Sequence, residues 1–172
     1  RIQRVPVKLD VLISQAIEAV QPLLNRHKHL LTVSLPSRPT RLLADSVRLV
    51  EVFTNLLSNA AKYTDDGGQI SLMAARENDE VVVEFRDTGI GMPVEMLPRI
   101  FDPFTQLPGA MKHSEGGIGI GLTMVAHLVR LHGGTVQAFS DGPGHGSRFV
   151  VRLPVLNALD TEDFRAEGPD HR

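Results

Sequence analysis

With 172 residues, no cysteine and a formal net charge of −2, the chain has the size of one domain that can bury a substantial core. The near-neutral charge argues against nucleic acid or a membrane surface as a partner, and the lack of cysteine excludes disulfides and thiolate chemistry. No apolar run approaches the roughly 20 residues that span a bilayer, so we expect neither a membrane span nor a signal peptide within it.

The first half of the chain predicts two helices with extended segments between them. Helical periodicity indicates a first helix over residues 10 to about 29, and Pro22 near its end is expected to kink the last turns. The second helix is expected to begin at Asp45 or Ser46, both good N-caps, and to end before residue 64. Between the helices, the pattern predicts extended segments over 29–36 and 40–45.

The second half predicts a hairpin, a long loop and a final helix between strands. Segments 69–77 and 80–87 alternate as paired strands, and a short helical piece is expected over 93–101. Residues 102–117 lose periodicity, and their length predicts a loop that is functional or disordered. The remaining elements are a helix over 119–132 and strands over 135–140 and 147–154.

This order of strands and helices lacks regular β-α-β alternation. It predicts an α/β sandwich in which one mixed sheet carries helices over one face. Residues from 157 onward are polar and patternless, which is typical of a linker or a disordered tail. The chain starts at Arg1 without methionine, so we expect a domain of a longer protein.

Residues 116–121 contain four glycines directly before the last helix. Each glycine in an ordered element lowers stability by about 0.5–1 kcal/mol relative to alanine, because glycine loses more conformational freedom on folding. The run therefore requires an explanation. Backbone N–H groups at a helix N-terminus bind anions, and glycine lets such a backbone come close. A dinucleotide fingerprint fails because its third glycine would be Met124, and a P-loop fails because Leu122 follows the last glycine. On this stretch alone, an anion-binding loop and a merely flexible loop are equally good interpretations.

The second helix carries a polar stripe. Glu51, Asn55 and Asn59 follow each other at intervals of four residues, and Lys62 lies close to the same side. A solvated face is one explanation, but asparagine in mid-helix is a poor choice for such a face. An asparagine oxygen suits Mg²⁺, which keeps several waters and also binds phosphate oxygens. The opposite side is apolar and should face the sheet: Val50, Phe53, Leu57 and Ala61.

A carboxylate stands where the strand over 80–87 ends. Asp87 is followed by Gly89 and Gly91, which let the backbone approach a flat ring. Such a carboxylate can accept a hydrogen bond from an exocyclic amine such as that of adenine. Taken alone, this stretch is explained more simply as a tight turn capped by the aspartate. The run "GPGHGSRF" is by itself a hairpin turn.

Together and in this order, these stretches resemble the catalytic ATP-binding domain of sensor histidine kinases, hybrid ones included, within the GHKL superfamily. The boxes of that family are similar to "EVFTNLLSNAAKYT", "DTGIGM", "IFDPFTQ", "GGIGIGL" and "GHGSRF". The resemblance implies a Bergerat-type fold with a mixed, largely antiparallel sheet of about five strands and three main helices on one face. It also implies the end of a linker over 1–6, the catalytic domain over 7–155, and a C-terminal tail or linker over 156–172.

The resemblance implies roles for particular residues. Asn59 is similar to the Mg²⁺-coordinating asparagine of the family. Asn55 and Lys62 match catalytic residues on the phosphate side. Asp87 would accept from the N6 amine of adenine, and Tyr63 would lie against the ring. The other residues expected to bind ATP are Gly89, Gly91, Ile100, Phe101, Lys112, Gly117, Ile118, Gly119, Ile120, Gly121, Leu122 and Ser147.

The loop over 102–117 resembles the ATP lid of the family. Phe101 and Phe104 would anchor its base, while Lys112 and His113 would be its cations nearest the triphosphate. The resemblance therefore explains the glycine run as both an anion cradle and a hinge.

ATPases of the same superfamily, such as gyrases and Hsp90 chaperones, carry a glutamate one helical turn before the metal-binding asparagine. Here that place is Asn55, which cannot act as a base near neutral pH. Glu51 lies one turn further back and is interpreted as a surface or cleft-edge residue. The resemblance thus implies a protein-histidine kinase with ATP and Mg²⁺ as cofactors. A GHKL-type ATPase, a protein-serine kinase and a degenerate ATP-binding scaffold are the alternatives.

None of the seven histidines is followed by an acidic residue, as the acceptor histidine of the family usually is. We therefore expect the acceptor on a separate dimerisation domain, and no autophosphorylation by this chain alone. A response regulator receiver domain is the expected second partner, and the intact protein is expected to be a homodimer without nucleic-acid or direct membrane contact. The expected location is cytoplasmic, either as a free protein or as the cytoplasmic part of a membrane-bound sensor.

Overall fold

A computed structural model describes residues 1–105 and 121–157 of the chain. In chain order its elements are β1 (Val5–Lys8), α1 (Leu9–Arg26), β2 (Leu30–Ser34), β3 (Arg41–Ala44), α2 (Ser46–Lys62), β4 (Gln69–Glu77), β5 (Glu80–Asp87), a 3₁₀ helix (Val94–Arg99), α3 (Gly121–Leu131), β6 (Thr135–Phe139) and β7 (Ser147–Pro154). Within this part of the chain, no helix is both long enough and apolar enough to cross a membrane.

The main sheet has five strands in the order β2-β4-β5-β7-β6. β2 pairs with β4 in parallel, and the other neighbouring strands are antiparallel. Asp87 at the end of β5 stands between Ile70 of β4 and Ser147 of β7. The prediction of a mixed, largely antiparallel sheet of about five strands is confirmed.

One face of this sheet and the three α-helices form a single core. On β5, Val81, Val83 and Phe85 are buried, while Glu84 and Arg86, which alternate with them, form an ion pair on the other face. This alternation follows from the two-residue period of a strand. The helices supply the other half of the core, with buried side chains that include Leu12, Ile13, Ala16, Val20, Leu49, Val52, Phe53, Leu56, Leu57, Val125 and Val129.

The first two helices have identifiable ends. α1 continues past Pro22 and ends at Arg26, three residues before the predicted end, because Lys28 adopts a left-handed backbone with a φ of 54°. α2 begins directly after Asp45, as predicted, and the Asp45 carboxylate accepts the backbone N–H of Arg48 at 3.3 Å. This cap satisfies one of the free N–H groups of the first turn.

The strand β1 was not predicted from the sequence, because four residues with a proline among them show no usable alternation. It pairs antiparallel with β3, so that Val5 stands opposite Ala44 in a separate two-stranded sheet. The expected boundary between the linker over 1–6 and the catalytic domain over 7–155 falls inside this strand.

The start of α2 and the end of α3 meet at one buried histidine. His132, 5% exposed, donates from Nδ1 to the carbonyl oxygen of Leu128 at 2.7 Å and accepts the Asp45 N–H on Nε2 at 3.1 Å. The second carboxylate oxygen of Asp45 accepts the N–H of Gln3 at 3.0 Å. The N–H groups of Gln3 and Arg48 hold the pKa of Asp45 below its usual value. The segment before β1 is thereby tied to the start of α2 and, through His132, to the end of α3.

Candidate functional site

A pocket opens between α2, the first turn of α3, the end of β5 and the start of β7. Its empty space, including the opening to solvent, is about 400 Å³. Most of its walls are apolar, and a few polar side chains enter it. The lining residues are Asn59, Ala60, Tyr63, Asp87, Met92, Ile100, Thr105, Leu122, Ser147 and Phe149.

Asp87 is the buried polar group of this pocket, with only 6% of its surface exposed. Its Oδ1 accepts the backbone N–H of Gly89 at 2.9 Å. Burial raises the pKa of Asp87 to about 6, while the N–H groups of Gly89 and Ser147, and His29 nearby, act in the opposite direction. A buried carboxylate with spare acceptor capacity is suited to a ligand that carries an N–H donor.

The glycines that follow Asp87 allow close backbone packing. A Cβ atom on Gly89 would collide with the carbonyl oxygen of Tyr63, and one on Gly91, whose φ is +70°, would collide with that of Gly142. The N–H of Ile90 donates to that same Tyr63 oxygen at 2.9 Å. Neither glycine lines the pocket in the described part of the chain. They act through the backbone that carries Asp87.

The polar stripe of α2 runs from the pocket toward α3. Asn59 lines the pocket, whereas Asn55 and Lys62 do not. Nδ2 of Asn55 donates to the carbonyl oxygen of Glu51 at 2.9 Å, and its Oδ1 faces Gly121, where an added Cβ would lie 3.2 Å away. Lys62 is half-buried in the last turn. Asn55 is thus placed at the junction of α2 and α3, beside the pocket rather than in it.

The Asn59 amide makes no hydrogen bond to any residue that the structure describes. Over the same residues, no group of three or more histidine, cysteine or acidic side chains is arranged to hold a metal ion. A metal at Asn59 would therefore have to draw most of its ligands from water and from the bound molecule. Mg²⁺ with a nucleoside triphosphate fits this requirement, because Mg²⁺ keeps several waters and binds phosphate oxygens.

The aromatic residues near the pocket differ in what they contact. Tyr63 and Phe149 line it, and burial raises the pKa of the Tyr63 phenol. Phe101 stands behind the wall, with its ring edge-on to Phe149 at 6.2 Å, and its carbonyl oxygen accepts the Thr123 hydroxyl at 2.9 Å. Phe104 is 74% exposed and has a φ of 63°.

The structure brings together six of the residues that the sequence predicts to bind a nucleotide: Asn59, Tyr63, Asp87, Ile100, Leu122 and Ser147. Gly121 begins α3 next to Asn55. Other predicted residues lie outside the described part of the chain, namely Lys112, His113, Gly117, Ile118, Gly119 and Ile120 of the lid and the glycine run.

Four lining residues were not predicted: Ala60, Met92, Thr105 and Phe149. Met92 and Phe149 are buried apolar residues whose sequence pattern is that of an ordinary core. Proximity to a motif was the one available signal, because Met92 ends the "DTGIGM" run and Phe149 ends the "GHGSRF" run.

The chain is similar to known proteins in sequence and in fold. Residues 44–157 match the family described as histidine kinase-, DNA gyrase B-, and HSP90-like ATPase. The chain is similar to the alginate biosynthesis sensor protein KinB of Pseudomonas aeruginosa, with 36% identity over 144 residues, 84% of this chain and 23% of KinB. The chain therefore spans less than a quarter of the length of that relative.

Solved structures show the same fold. The mycobacterial sensor histidine kinase MprB has a TM-score of 0.77 at 25% identity, over 89% of this chain and 98% of that one. Full-length ShkA in complex with AMPPNP has a TM-score of 0.76 at 28% identity, over 92% of this chain and 32% of that one.

Proposed function

The chain belongs to the family of histidine kinase-, DNA gyrase B- and HSP90-like ATPases, and we propose that it is the catalytic ATP-binding domain of a sensor histidine kinase. It binds ATP with Mg²⁺ and donates the γ-phosphoryl group to a histidine on a separate dimerisation domain. The observation that carries this proposal is that a buried carboxylate, Asp87, and an amide on α2, Asn59, line the same pocket.

Asp87 selects the base in this proposal. Its carboxylate accepts a hydrogen bond from the N6 amine of adenine, and the apolar walls contributed by Met92, Ile100 and Phe149 cover the ring. Burial strengthens this hydrogen bond, because no water competes for the acceptor. ShkA, whose fold is similar, was solved with AMPPNP, an analogue of ATP, and this supports an adenine nucleotide as the ligand.

The α2 stripe receives the phosphates. Asn59 would hold Mg²⁺ through its amide oxygen, and the bound ion would offset negative charge on the phosphates. Asn55 lies on the same side of α2, next to the first residue of α3, and Lys62 adds a positive charge in the last turn. Positioning and charge compensation supply most of the rate enhancement in enzymatic phosphoryl transfer.

The pocket favours a kinase over a hydrolase. Hydrolysis requires a base near the phosphates, yet Asp87 is the one carboxylate among the described lining residues, and the proposal places it at the base of the nucleotide. The Glu51 carboxylate pairs with Arg48 at 3.2 Å, and Asn55 is an amide. Neither Asn55 nor the described pocket lining therefore supplies a general base to water at the phosphate end of the proposed site.

The attacking group is an imidazole of the dimerisation domain. Its nitrogen forms a bond to the γ-phosphorus while the bond to the β–γ bridging oxygen breaks, which leaves ADP on the chain and phosphohistidine on the partner. The phosphoryl group then passes to an aspartate on a response regulator. We place the intact protein in the cytoplasm as a homodimer, with residues 1–6 as the end of a linker, 7–155 as catalytic domain and 156–172 as a C-terminal tail or linker.

The test is phosphotransfer between separated domains. The 172-residue chain is mixed with ATP, Mg²⁺ and the dimerisation domain of its own full-length protein. The acceptor histidine of that dimerisation domain is either intact or changed to glutamine. We expect acid-labile label on the intact partner and none on the glutamine variant or on the chain alone. Acid-stable label on serine, or phosphate release that exceeds transfer, would contradict the proposal.

A further inference from the structure

His29, directly before β2, contacts the loop that follows α2. Its Nε2 lies 3.0 Å from the carbonyl oxygen of Thr64 and 3.1 Å from that of Asp65. Because both partners are carbonyl oxygens, Nε2 carries the proton and donates to them. The side chain therefore bridges two consecutive carbonyl groups of the loop.

Backbone hydrogen bonds hold the same loop at its other end. The Gly67 N–H donates to the carbonyl oxygen of His27 at 2.9 Å, and the Leu30 N–H donates to that of Gly68 at 3.0 Å. The loop over 64–68 is thus attached along its length to the connection between α1 and β2.

This loop continues the backbone that positions Asp87. Thr64 directly follows Tyr63, whose carbonyl oxygen accepts the Ile90 N–H and leaves no room for a side chain on Gly89. Gly89 in turn donates its N–H to Asp87. A displacement of the loop is therefore passed through the Tyr63 carbonyl to the turn that fixes the carboxylate.

Two buried polar atoms beside the loop indicate that the histidine is more than a spacer. Its Nδ1 and the Oγ1 of Thr64 are buried and have no hydrogen-bond partner among the residues that the structure describes. An apolar side chain would fill this position without leaving polar atoms unpaired. The two bonds from Nε2 to the loop are what the histidine adds.

We propose that His29 is a positioning residue that holds the Tyr63–Gly89 backbone in place for Asp87 and so maintains the preference of the site for a purine with an exocyclic amine. This inference rests on the proposed function, in which Asp87 accepts from the N6 amine of adenine. It predicts that loss of the Nε2 donor weakens discrimination between bases, while the phosphate end is unaffected.

The test compares ATP with inosine triphosphate, which has a carbonyl oxygen in place of the amine. Dissociation constants of both nucleotides with Mg²⁺ are measured by competition with a fluorescent adenine nucleotide. His29→Phe keeps a planar ring without the donor, His29→Ala removes the ring, and His29→Gln retains an N–H donor. His127→Ala is the matched control, because it removes an exposed histidine of α3 that does not line the pocket in the described part of the chain.

We expect the wild-type chain and His127→Ala to prefer ATP equally. His29→Phe and His29→Ala should lower the ratio of ATP to inosine triphosphate affinity about tenfold, the size of one lost hydrogen bond. His29→Gln should restore most of it. Equal weakening of both nucleotides, an unchanged ratio, or failure of both donor-free variants to fold would overturn the role given to His29. If the wild type itself shows no preference for ATP, the role proposed for Asp87 is wrong, and the inference falls with it.

Discussion

The backbone N–H of Gly89 donates a 2.9 Å hydrogen bond to Oδ1 of Asp87, two residues before it in the chain. This bond fixes the direction of one carboxylate oxygen at the bottom of a largely apolar pocket. Burial nevertheless dominates, because the pKa of Asp87 is raised to about 6. Binding and stability should therefore both depend on the charge of this single group.

Affinity for adenine nucleotides should fall as the pH drops through about 6. Protonation removes the negative charge that accepts the N6 amine, so we expect ATP to bind about tenfold more weakly at pH 5 than at pH 8. The phosphates of ATP also titrate in this range. The ratio of ATP to inosine triphosphate affinity, measured at each pH by competition titration, cancels that contribution. A ratio that stays constant between pH 5 and pH 8 would contradict the prediction.

Asp87→Asn should abolish ATP binding and yet stabilise the chain at pH 8. The pKa of Asp87 is raised from 3.8 to about 6, so the folded state holds the proton more tightly than the unfolded state. Above pH 6 the charged carboxylate therefore opposes folding by about 3 kcal/mol, and below pH 4 this effect disappears. We expect a gain of about 1–3 kcal/mol in urea unfolding at pH 8 and little gain at pH 4.

The control for this substitution is Asp141→Asn, which changes an exposed aspartate in the neighbouring turn. It should alter neither ATP affinity nor stability. Wild-type ATP affinity in the Asp87→Asn variant would refute the base-reading role of Asp87.

Asn59→Ala should remove the contribution of Mg²⁺ to binding without unfolding the chain. The amide makes no hydrogen bond to a residue that the structure describes, so its loss leaves no unpaired partner there and alanine favours the helix. ATP affinity should become independent of Mg²⁺, as measured by fluorescent-nucleotide titration with and without the ion. Ser58→Ala on the adjacent position of α2 is the control. A variant that keeps the full Mg²⁺ dependence would rule out Asn59 as the ligand.

Asn55→Glu should introduce ATP hydrolysis. A carboxylate at this position, one turn before Asn59, can act as a general base toward water, and such a base typically contributes 10²–10⁴-fold. We expect phosphate release to rise at least about tenfold in a coupled assay. Asn55→Gln, which adds the same length without charge, should stay at the wild-type rate. Equal rates in the two variants would show that the missing base is not what suppresses hydrolysis.

Gly89→Ala should destabilise the chain and weaken ATP binding together. Its Cβ would collide with the Tyr63 carbonyl and lie 2.8 Å from Oδ1 of Asp87, and backbone cannot move aside as a side chain can. We expect a loss of about 2–3 kcal/mol in urea unfolding. Gly144→Ala is the control: its φ is +82° with nothing within 4 Å, so it should cost about 1 kcal/mol of backbone strain and leave binding unchanged. Similar losses in both variants would indicate strain alone.

The sequence by itself determined the local structure and the direction in which the key side chains point. The cap at Asp45, the hairpin between β4 and β5, and the polar stripe with Asn55 and Asn59 follow from periodicity and capping rules, which depend on neighbours a few residues apart. The order of the motifs likewise predicted the family and the sheet.

The tertiary structure alone decided which faces meet. The register of β5 and β7 places Asp87 beside Ser147, and Phe149 two residues further on becomes a pocket wall with Phe101 behind it. The link from His29 across 35 residues to Thr64 has no counterpart in local sequence. The raised pKa of Asp87 also depends on the tertiary structure. Its main cause is desolvation, which the whole packed core produces and which cannot be read from nearby residues in the sequence.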